Sequence, residues 1–159
     1  MTPQSDPLGF ELLAFFTADH AAVAEGKLYL DGGCWNRLQF PAYPQVVPAM
    51  ALVAVLKVPF GHYNASHKFK FGMEDPDRKT MPFHAEGAFR VGAQADMEYG
   101  DPTVLPITMP IHNLVIAAPG DYSFTFEVDE VELGRFGIRA IQIAVPMQFT
   151  LQPPESEAS

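Results

Sequence analysis

The chain has 159 residues, a formal net charge of -9 and a single cysteine, Cys34. This length suits one domain that buries roughly two-thirds of the surface its unfolded chain would expose. Because a polyanion would repel so acidic a surface, the charge argues against nucleic acid and anionic membranes as partners. One cysteine permits no intrachain disulfide, which is typical of a reducing compartment.

The sequence has no pattern of a secretory signal or of a membrane-spanning helix. Its first basic residue is Lys27, and Glu11 interrupts the early apolar run "LGFELLAFF", whereas a signal peptide begins with a basic segment. The longest apolar stretch, "AMALVAVL", is far shorter than the roughly 20 residues that cross a bilayer. We therefore expect a soluble cytoplasmic protein without a membrane partner.

Two apolar segments in the first third are compatible with more than one secondary structure. "LGFELLAFFTADHAAVAEG" contains enough alanine to allow a short helix near residues 18–25. "PAMALVAVLKV" is apolar on both faces, and Pro48 and Pro59 confine it to a length that suits a helix or a central strand. Its composition favours the strand.

The next stretch predicts a β-hairpin. Residues 68–74 alternate charged and apolar side chains, which places Phe69, Phe71 and Met73 on the inner face of a strand. The following "DPDRK" supplies the turn, with Pro76 suited to the second position of a type I turn. A further run around "AEGAFRVGAQADMEY" gives the second strand. The acidic residues of the turn lack the spacing of a calcium loop, and its cations would repel the ion.

Alternation is clearest near the C-terminus. In "YSFTFEVD", the apolar face consists of Tyr122, Phe124, Phe126 and Val128. A last strand is predicted to present another apolar face, formed by Ile141, Ile143, Val145, Met147, Phe149 and Leu151. Pro146 cannot donate to a ladder, so this strand is an edge, bulged or broken there.

The apolar runs between turn signals predict an all-β protein, an antiparallel β-sandwich of about eight strands. Its 15 prolines fit that architecture better than a helical one. "DPTVLPITMP" and "PAYPQVVP" are interpreted as connections or edge segments. We expect one sandwich domain at residues 1–152, followed by a flexible acidic tail at 153–159.

No catalytic, cofactor-binding or metal site is predicted. A metal site on a β-scaffold would typically show two histidines two residues apart, but His62 and His67 differ by an odd number and face opposite sides of a regular strand. Cys34 has Arg37 as its only nearby cation in sequence, so a buried or half-buried thiol is expected rather than a nucleophile. Asp96 and Glu98 share a face of a predicted strand, but surface carboxylates at that spacing are ordinary in an acidic protein.

Two groups of residues are candidates for a rim anchor or a contact with a partner. "PFGHYNASHKF" concentrates hydrogen-bonding groups before a strand, in His62, Asn64 and His67, where such side chains commonly satisfy backbone groups. Trp35 and Tyr43 lie in aromatic-rich loops that are candidates for a contact patch, including a homodimer seam.

Three stretches resemble a family of small, mainly actinobacterial proteins that is catalogued as a domain of unknown function. They are "GKLYLDGGCWNRLQFPAYPQ", "KVPFGHYNASHKFKFGMEDPDRK" and "PGDYSFTFEVD". The resemblance implies an Ig-like or C2-like sandwich and brings no catalytic assignment. Arg78 stands where relatives tend to have Gly after the acidic turn. The resemblance marks as family-like positions Pro59, Asn64, His67, Asp75 and Asp77.

The sequence favours a non-catalytic accessory or protein-interaction module without a cofactor. It would contact a protein partner or form a homo-oligomer through an exposed strand edge, a sheet face or rim loops. The alternative is a β-protein that binds a small molecule or a metal ion, including the case of an enzyme. Its rim site would lie around His62, Asn64 and His67.

Overall fold

A computed structural model of the protein describes residues 9–92 and 95–145, without the side chain of His84. The described residues form nine strands and one short 3-10 turn, Phe60–His62. The strands are β1 (Glu11–Ala24), β2 (Lys27–Gly33), β3 (Arg37–Phe40), β4 (Gln45–Val58), β5 (Ser66–Glu74), β6 (Thr80–Arg90), β7 (Thr103–Ile116), β8 (Gly120–Val128) and β9 (Val131–Gln142).

The strands form two facing sheets with an apolar layer between them. Sheet A has four strands in the order β2-β1-β4-β7, and sheet B has five in the order β3-β9-β8-β5-β6. The predicted inner face of β8 is confirmed, because Tyr122 and Phe124 and their alternate neighbours are buried in this layer. The largest fully buried side chains include Phe10, Phe71, Phe124, Phe126, Leu52 and Leu56. The two-sheet sandwich predicted from alternation is therefore confirmed.

One pair of strands departs from the antiparallel pattern. β3 runs parallel to β9, with Arg37 opposite Arg139 and Phe40 opposite Gln142. The polypeptide crosses from sheet A to sheet B between β2 and β3, so β3 enters the second sheet in the same direction as β9. Parallel strands need a long connection rather than a tight turn, and alternation within a segment carries no information on such a pairing.

The short helix allowed near residues 18–25 is not present. Residues 18–24 belong to β1, which is joined to β2 by a tight turn at Glu25 and Gly26. The pairing with β2 satisfies the backbone of this alanine-rich stretch, so tertiary context overrides helix propensity. The apolar stretch before Pro59 is the long central strand β4, as its composition favoured.

The prediction for the final strand is wrong in its position. β9 begins at Val131 and ends at Gln142, while Ile143 and Val145 are exposed beyond it. The β8–β9 register shifts by one residue near Phe126, which leaves Leu133 as an extra residue of a bulge. The predicted continuation at Met147, Phe149 and Leu151, the break at Pro146 and the tail 153–159 lie outside the described residues.

The predicted hairpin around "DPDRK" forms between β5 and β6. The amide of Arg78 donates to the carbonyl of Asp75 at 2.9 Å, which closes a β-turn with Pro76 in its second position. The Asp75 side chain also accepts the amides of Asp77 and Lys79, both at 2.9 Å. The second strand, however, ends at Arg90.

The carboxylates that were predicted to share a strand face are not on a strand. Asp96 and Glu98 lie in the connection between β6 and β7. The amide of Glu98 donates to the Asp101 carboxylate at 2.9 Å, so local turn bonds organise this connection.

Candidate functional site

The predicted anchor residues occupy separate parts of the sandwich. His62, Asn64 and His67 follow the C-terminal end of β4, whereas Tyr43 precedes its N-terminal end. Trp35 lies at the crossing between the sheets, where its carbonyl accepts a hydrogen bond from Thr17 of β1. A 14-residue strand separates the histidine group from Tyr43, so these residues do not form one site.

The His67 rim cluster consists of Phe10, His62, His67, Phe89 and Asp129. The Phe10 ring stacks on the His62 ring, with centroids 4.6 Å apart, and meets His67 edge-on at 5.0 Å. The Phe89 ring lies 5.4 Å from the His67 ring. Since His67 is only 7% exposed, these rings separate its imidazole from solvent. The cluster ties the segment before β1 to the β4–β5 connection.

The imidazole of His67 contacts oxygen atoms through both nitrogens. Nδ1 lies 2.6 Å from Oδ2 of Asp129, and Nε2 lies 3.2 Å from the carbonyl of His62. An imidazolium donates from both nitrogens, so this form satisfies both contacts. With both nitrogens engaged, His67 offers no lone pair to a metal ion in this arrangement.

Asp129 completes the cluster from the turn between β8 and β9. Partial burial raises the pKa of Asp129, but the hydrogen bonds from His67 and from the backbone amide of Lys68 outweigh it. These bonds hold the pKa of the carboxyl below its ordinary value, because they stabilise the charged form. The His67–Asp129 pair therefore links β5 to the β8–β9 turn.

Asn64 and the two aromatic anchors also make hydrogen bonds or packing contacts within the chain. Asn64 adopts φ 62, and its backbone amide donates to the carbonyl of Val91 at 2.8 Å. The Tyr43 hydroxyl donates to the carbonyl of Ile141 at 2.7 Å. Trp35 and Tyr43 are half-buried and pack against the main core. That these residues also contact a partner stays a prediction.

Cys34 is exposed, in contrast to the buried or half-buried thiol predicted from the sequence. It adopts φ 67, and its amide donates to the carbonyl of Thr17 at 2.7 Å. The backbone at this crossing is fixed by that bond, and the side chain points away from the core.

A surface that the sequence did not single out lies on the solvent side of β4 and β7. Alternate residues of these paired strands enter the main core, and the others form what we call the apolar outer face. It carries Lys57 and His112, and its remaining members are Val46, Ala49, Ala51, Val53, Val55, Val104, Pro106, Thr108, Pro110 and Val115. The middle of this face, around Ala51 and Val53, is buried in a small cluster with Phe16.

The apolar outer face combines exposed valines with an almost complete lack of charge. Val104 is 58% exposed, Val115 51% and Val46 46%. The ionisable residues of β4 and β7 are Lys57 and His112, and neither strand contains an acidic residue. A solvated sheet face ordinarily alternates polar residues outward, so this face differs from the pattern.

The outer side of sheet B has the usual charged character. Its strands carry six basic and five acidic residues, which are Arg37, Lys68, Lys70, Arg90, Arg135, Arg139, Glu74, Glu86, Asp121, Glu127 and Glu132. Arg135 binds Glu74 at 2.6 Å, and Arg139 binds Asp121 at 2.7 Å. The hydrogen bond from Arg139 holds the pKa of Asp121 below its ordinary value. A groove of about 390 Å³ beside this pair is lined by residues that include Arg37, Ser123 and Ile138.

Sequence reasoning missed the apolar outer face and two partners of His67. Phe10 and Asp129 lie 57 and 62 residues from His67 along the chain, so no local pattern joins them. The charge-free segment 103–116 was the available signal, because an exposed edge strand ordinarily carries charged residues.

Among the described residues no helix is long and apolar enough to cross a membrane. The same residues contain no group of three or more His, Cys, Asp or Glu side chains placed to hold a metal ion.

The chain matches a protein-family model over residues 13–141, described as a family of unknown function (DUF6941). The match spans most of the sandwich, from β1 to the end of β9, so the chain belongs to this family. A search of curated proteins found no match.

Proposed function

We propose that this member of the family is a cytoplasmic, non-catalytic module that works by binding another protein through its apolar outer face. The observation that carries the proposal is the contrast between that face and the rest of the molecule. In a chain of net charge -9, the paired strands β4 and β7 contain no acidic residue and expose Val46, Val104 and Val115. Exposed apolar surface of this kind typically marks an interaction site.

The edge of β7 favours contact through the face rather than through an added strand. Pro106 and Pro110 lie four residues apart, and the ladder with β4 continues through both. Their missing N–H groups therefore belong to the free edge, where prolines hinder pairing with another strand. In sheet B, whose two edge strands are β3 and β6, β6 contains Pro82. A partner would meet side chains rather than open backbone at these edges.

The arrangement of the His67 rim cluster favours a structural role over a ligand site. Its imidazole is enclosed by Phe10 and Phe89, and its nitrogens already contact oxygen atoms of Asp129 and His62. A binding site for a small molecule needs a concave pocket with convergent polar groups that remain available. No observation at this rim favours the ligand-binding alternative, so we keep one proposed function.

Affinity capture with two matched variants tests the proposal. Immobilised wild-type chain is compared with Val46→Glu, which places a charge on the apolar outer face opposite Val115, and with Gln39→Glu, which places one on exposed β3 of sheet B. We expect a protein retained by the wild type and by Gln39→Glu to be lost with Val46→Glu, because burying an unpaired carboxylate is costly. Equal retention by all three chains would show that the face is not the binding surface.

A further inference from the structure

We infer that the occupant of the apolar outer face is a second copy of this chain, bound face to face about a two-fold axis. This inference rests on the proposed function and names its partner. A two-fold contact uses the same patch on both copies, so that patch must be compatible with itself in shape and charge.

Charge is the first reason for a self-contact at this face. Two chains of net charge -9 repel each other, and unpaired like charges within a contact add to that repulsion. Strands β4 and β7 hold Lys57 and His112 but no carboxylate, and the neighbouring β1 carboxylate, Glu11, is paired with Lys57 at 3.4 Å. The outer side of sheet B carries charges of both signs, and a contact there would remove charged groups such as Glu86 and Glu127 from water, which is costly. The apolar outer face therefore allows self-association with less loss of charge solvation.

The lack of charge also argues against a differently charged partner. Complexes between unlike proteins commonly use complementary charge to steer association and to select the partner. An uncharged face gives no such steering, whereas a self-contact requires none. An apolar, charge-poor surface is also typical of homodimer interfaces, which are more apolar than the remaining surface.

Size and shape are compatible with a dimer. β4 and β7 have 14 residues each, which corresponds to a length of about 46 Å. Together with the half of β1 that pairs with β4, they give a projected footprint on the order of 550 Å². Since Ala51 and Val53 in its middle are already buried, this area falls below the roughly 800 Å² per partner of a standard interface and suits a small interface. Small side chains such as Ala49 and Thr108 permit a second sheet to approach closely.

Sedimentation equilibrium of the full chain tests this inference. We expect the average mass of the wild type to rise from the 17.5 kDa of one chain towards twice that value as the concentration is raised from micromolar to 100 μM. Val115→Glu should weaken the dimer at least tenfold, because it places two carboxylates in one apolar contact, one from each copy. Gln39→Glu should leave the dimer unchanged. Thermal unfolding of each variant checks that the chain is folded.

Salt gives a second measurement that needs no variant. Raising NaCl from 50 to 500 mM screens the repulsion between the acidic copies, so the wild-type dimer should become tighter or remain unchanged. A dimer that weakens severalfold with salt would instead be held by charged groups, and the inference would be overturned.

The remaining outcomes separate the inference from the proposed function. A strictly monomeric wild type at 100 μM concentration overturns the second-copy inference. If Val46→Glu still abolishes capture of a different protein, the proposed function stands with another partner. A dimer that persists in Val115→Glu and in Val46→Glu overturns the inference, because it uses another surface. A monomeric chain whose captures are insensitive to Val46→Glu contradicts both.

Discussion

Arg78 has a backbone conformation that is unfavourable for a residue with a side chain. It is the fourth residue of the β-turn that begins at Asp75 and adopts φ 61, a conformation that favours glycine. We expect Arg78→Gly to raise the free energy of unfolding by about 1 kcal/mol, because it relieves left-handed strain. Urea denaturation measures this change through its midpoint.

Lys79→Gly is the matched control for that substitution. Lys79 lies in the same turn but is not among the described residues with positive φ. Glycine there relieves no strain and adds freedom to the unfolded chain, so it should leave stability unchanged or lower it. A lower stability for Arg78→Gly than for Lys79→Gly would contradict the strain argument.

Asp129 is the residue whose charge should matter most for pH dependence. Its folded pKa lies below the ordinary value, so its stabilisation is complete above the unfolded pKa of about 4 and is lost as pH falls through the folded pKa. We expect Asp129→Asn to cost about 2 kcal/mol at pH 7. The difference from wild type should shrink below pH 4 in urea denaturation.

Glu130→Gln removes a neighbouring, exposed carboxylate and serves as the control for Asp129. It should leave stability at pH 7 nearly unchanged, since exposed charges without a close partner contribute little. If Glu130→Gln reproduced the effect of Asp129→Asn, general charge rather than the contact with His67 would be responsible.

At this scale the sequence predicts local geometry better than long-range partners. The β-turn at Pro76 follows from neighbouring residues and is confirmed. The prediction that Cys34 is buried or half-buried was wrong. Its backbone position is held by a hydrogen bond from its amide to the carbonyl of Thr17, which lies on β1 and is distant in sequence. The contacts of His67 required a knowledge of strand order that the sequence does not contain.

Gly87 and Phe69 show how the β5–β6 pair accommodates a large aromatic residue. They are opposite each other in the register, and a Cβ at position 87 would lie 2.4 Å from Cζ of Phe69. We expect Gly87→Ala to destabilise the protein by about 1–3 kcal/mol, because the ring must leave its position. Chemical denaturation measures the cost.

Gly61→Ala provides the contrast, because nothing lies within 4 Å of a Cβ there. It should change stability by no more than about 0.5 kcal/mol, as for ordinary surface substitutions. In the double variant Phe69→Leu/Gly87→Ala, the added cost of Gly87→Ala should be smaller than in the wild type. An undiminished cost would show that the ring is not the obstacle.

Strand identity was predictable where alternation is regular and failed where it is interrupted. β8 alternates without interruption, and Phe124 and Phe126 are fully buried. β9 changes phase at the bulge near Leu133, so Ile138 and Ala140 face the core instead of the predicted residues after 140. Gly134 and Gly137 leave no alternating side chain by which that change could be recognised.

The whole molecule has two outer surfaces of different chemical character. Sheet B presents an ion-paired face, whereas the paired strands β4 and β7 of sheet A present the apolar outer face. The overall sandwich followed from the sequence, because burial of alternating residues depends on composition and period. Which side of a strand is left for a partner depends on sheet pairing and could not be predicted from any one segment.

The central claim is that the apolar outer face is a contact surface, and methyl NMR over a concentration series tests it most directly. On dilution from millimolar to micromolar chain, we expect chemical-shift changes at the methyl groups of Val46, Val104 and Val115. The methyl groups of Leu38 and Val131 in sheet B should remain unchanged. Chemical-shift changes confined to sheet B or to the β2 edge would contradict the account. It would also be contradicted if a bound protein partner caused no shift change at the three valines.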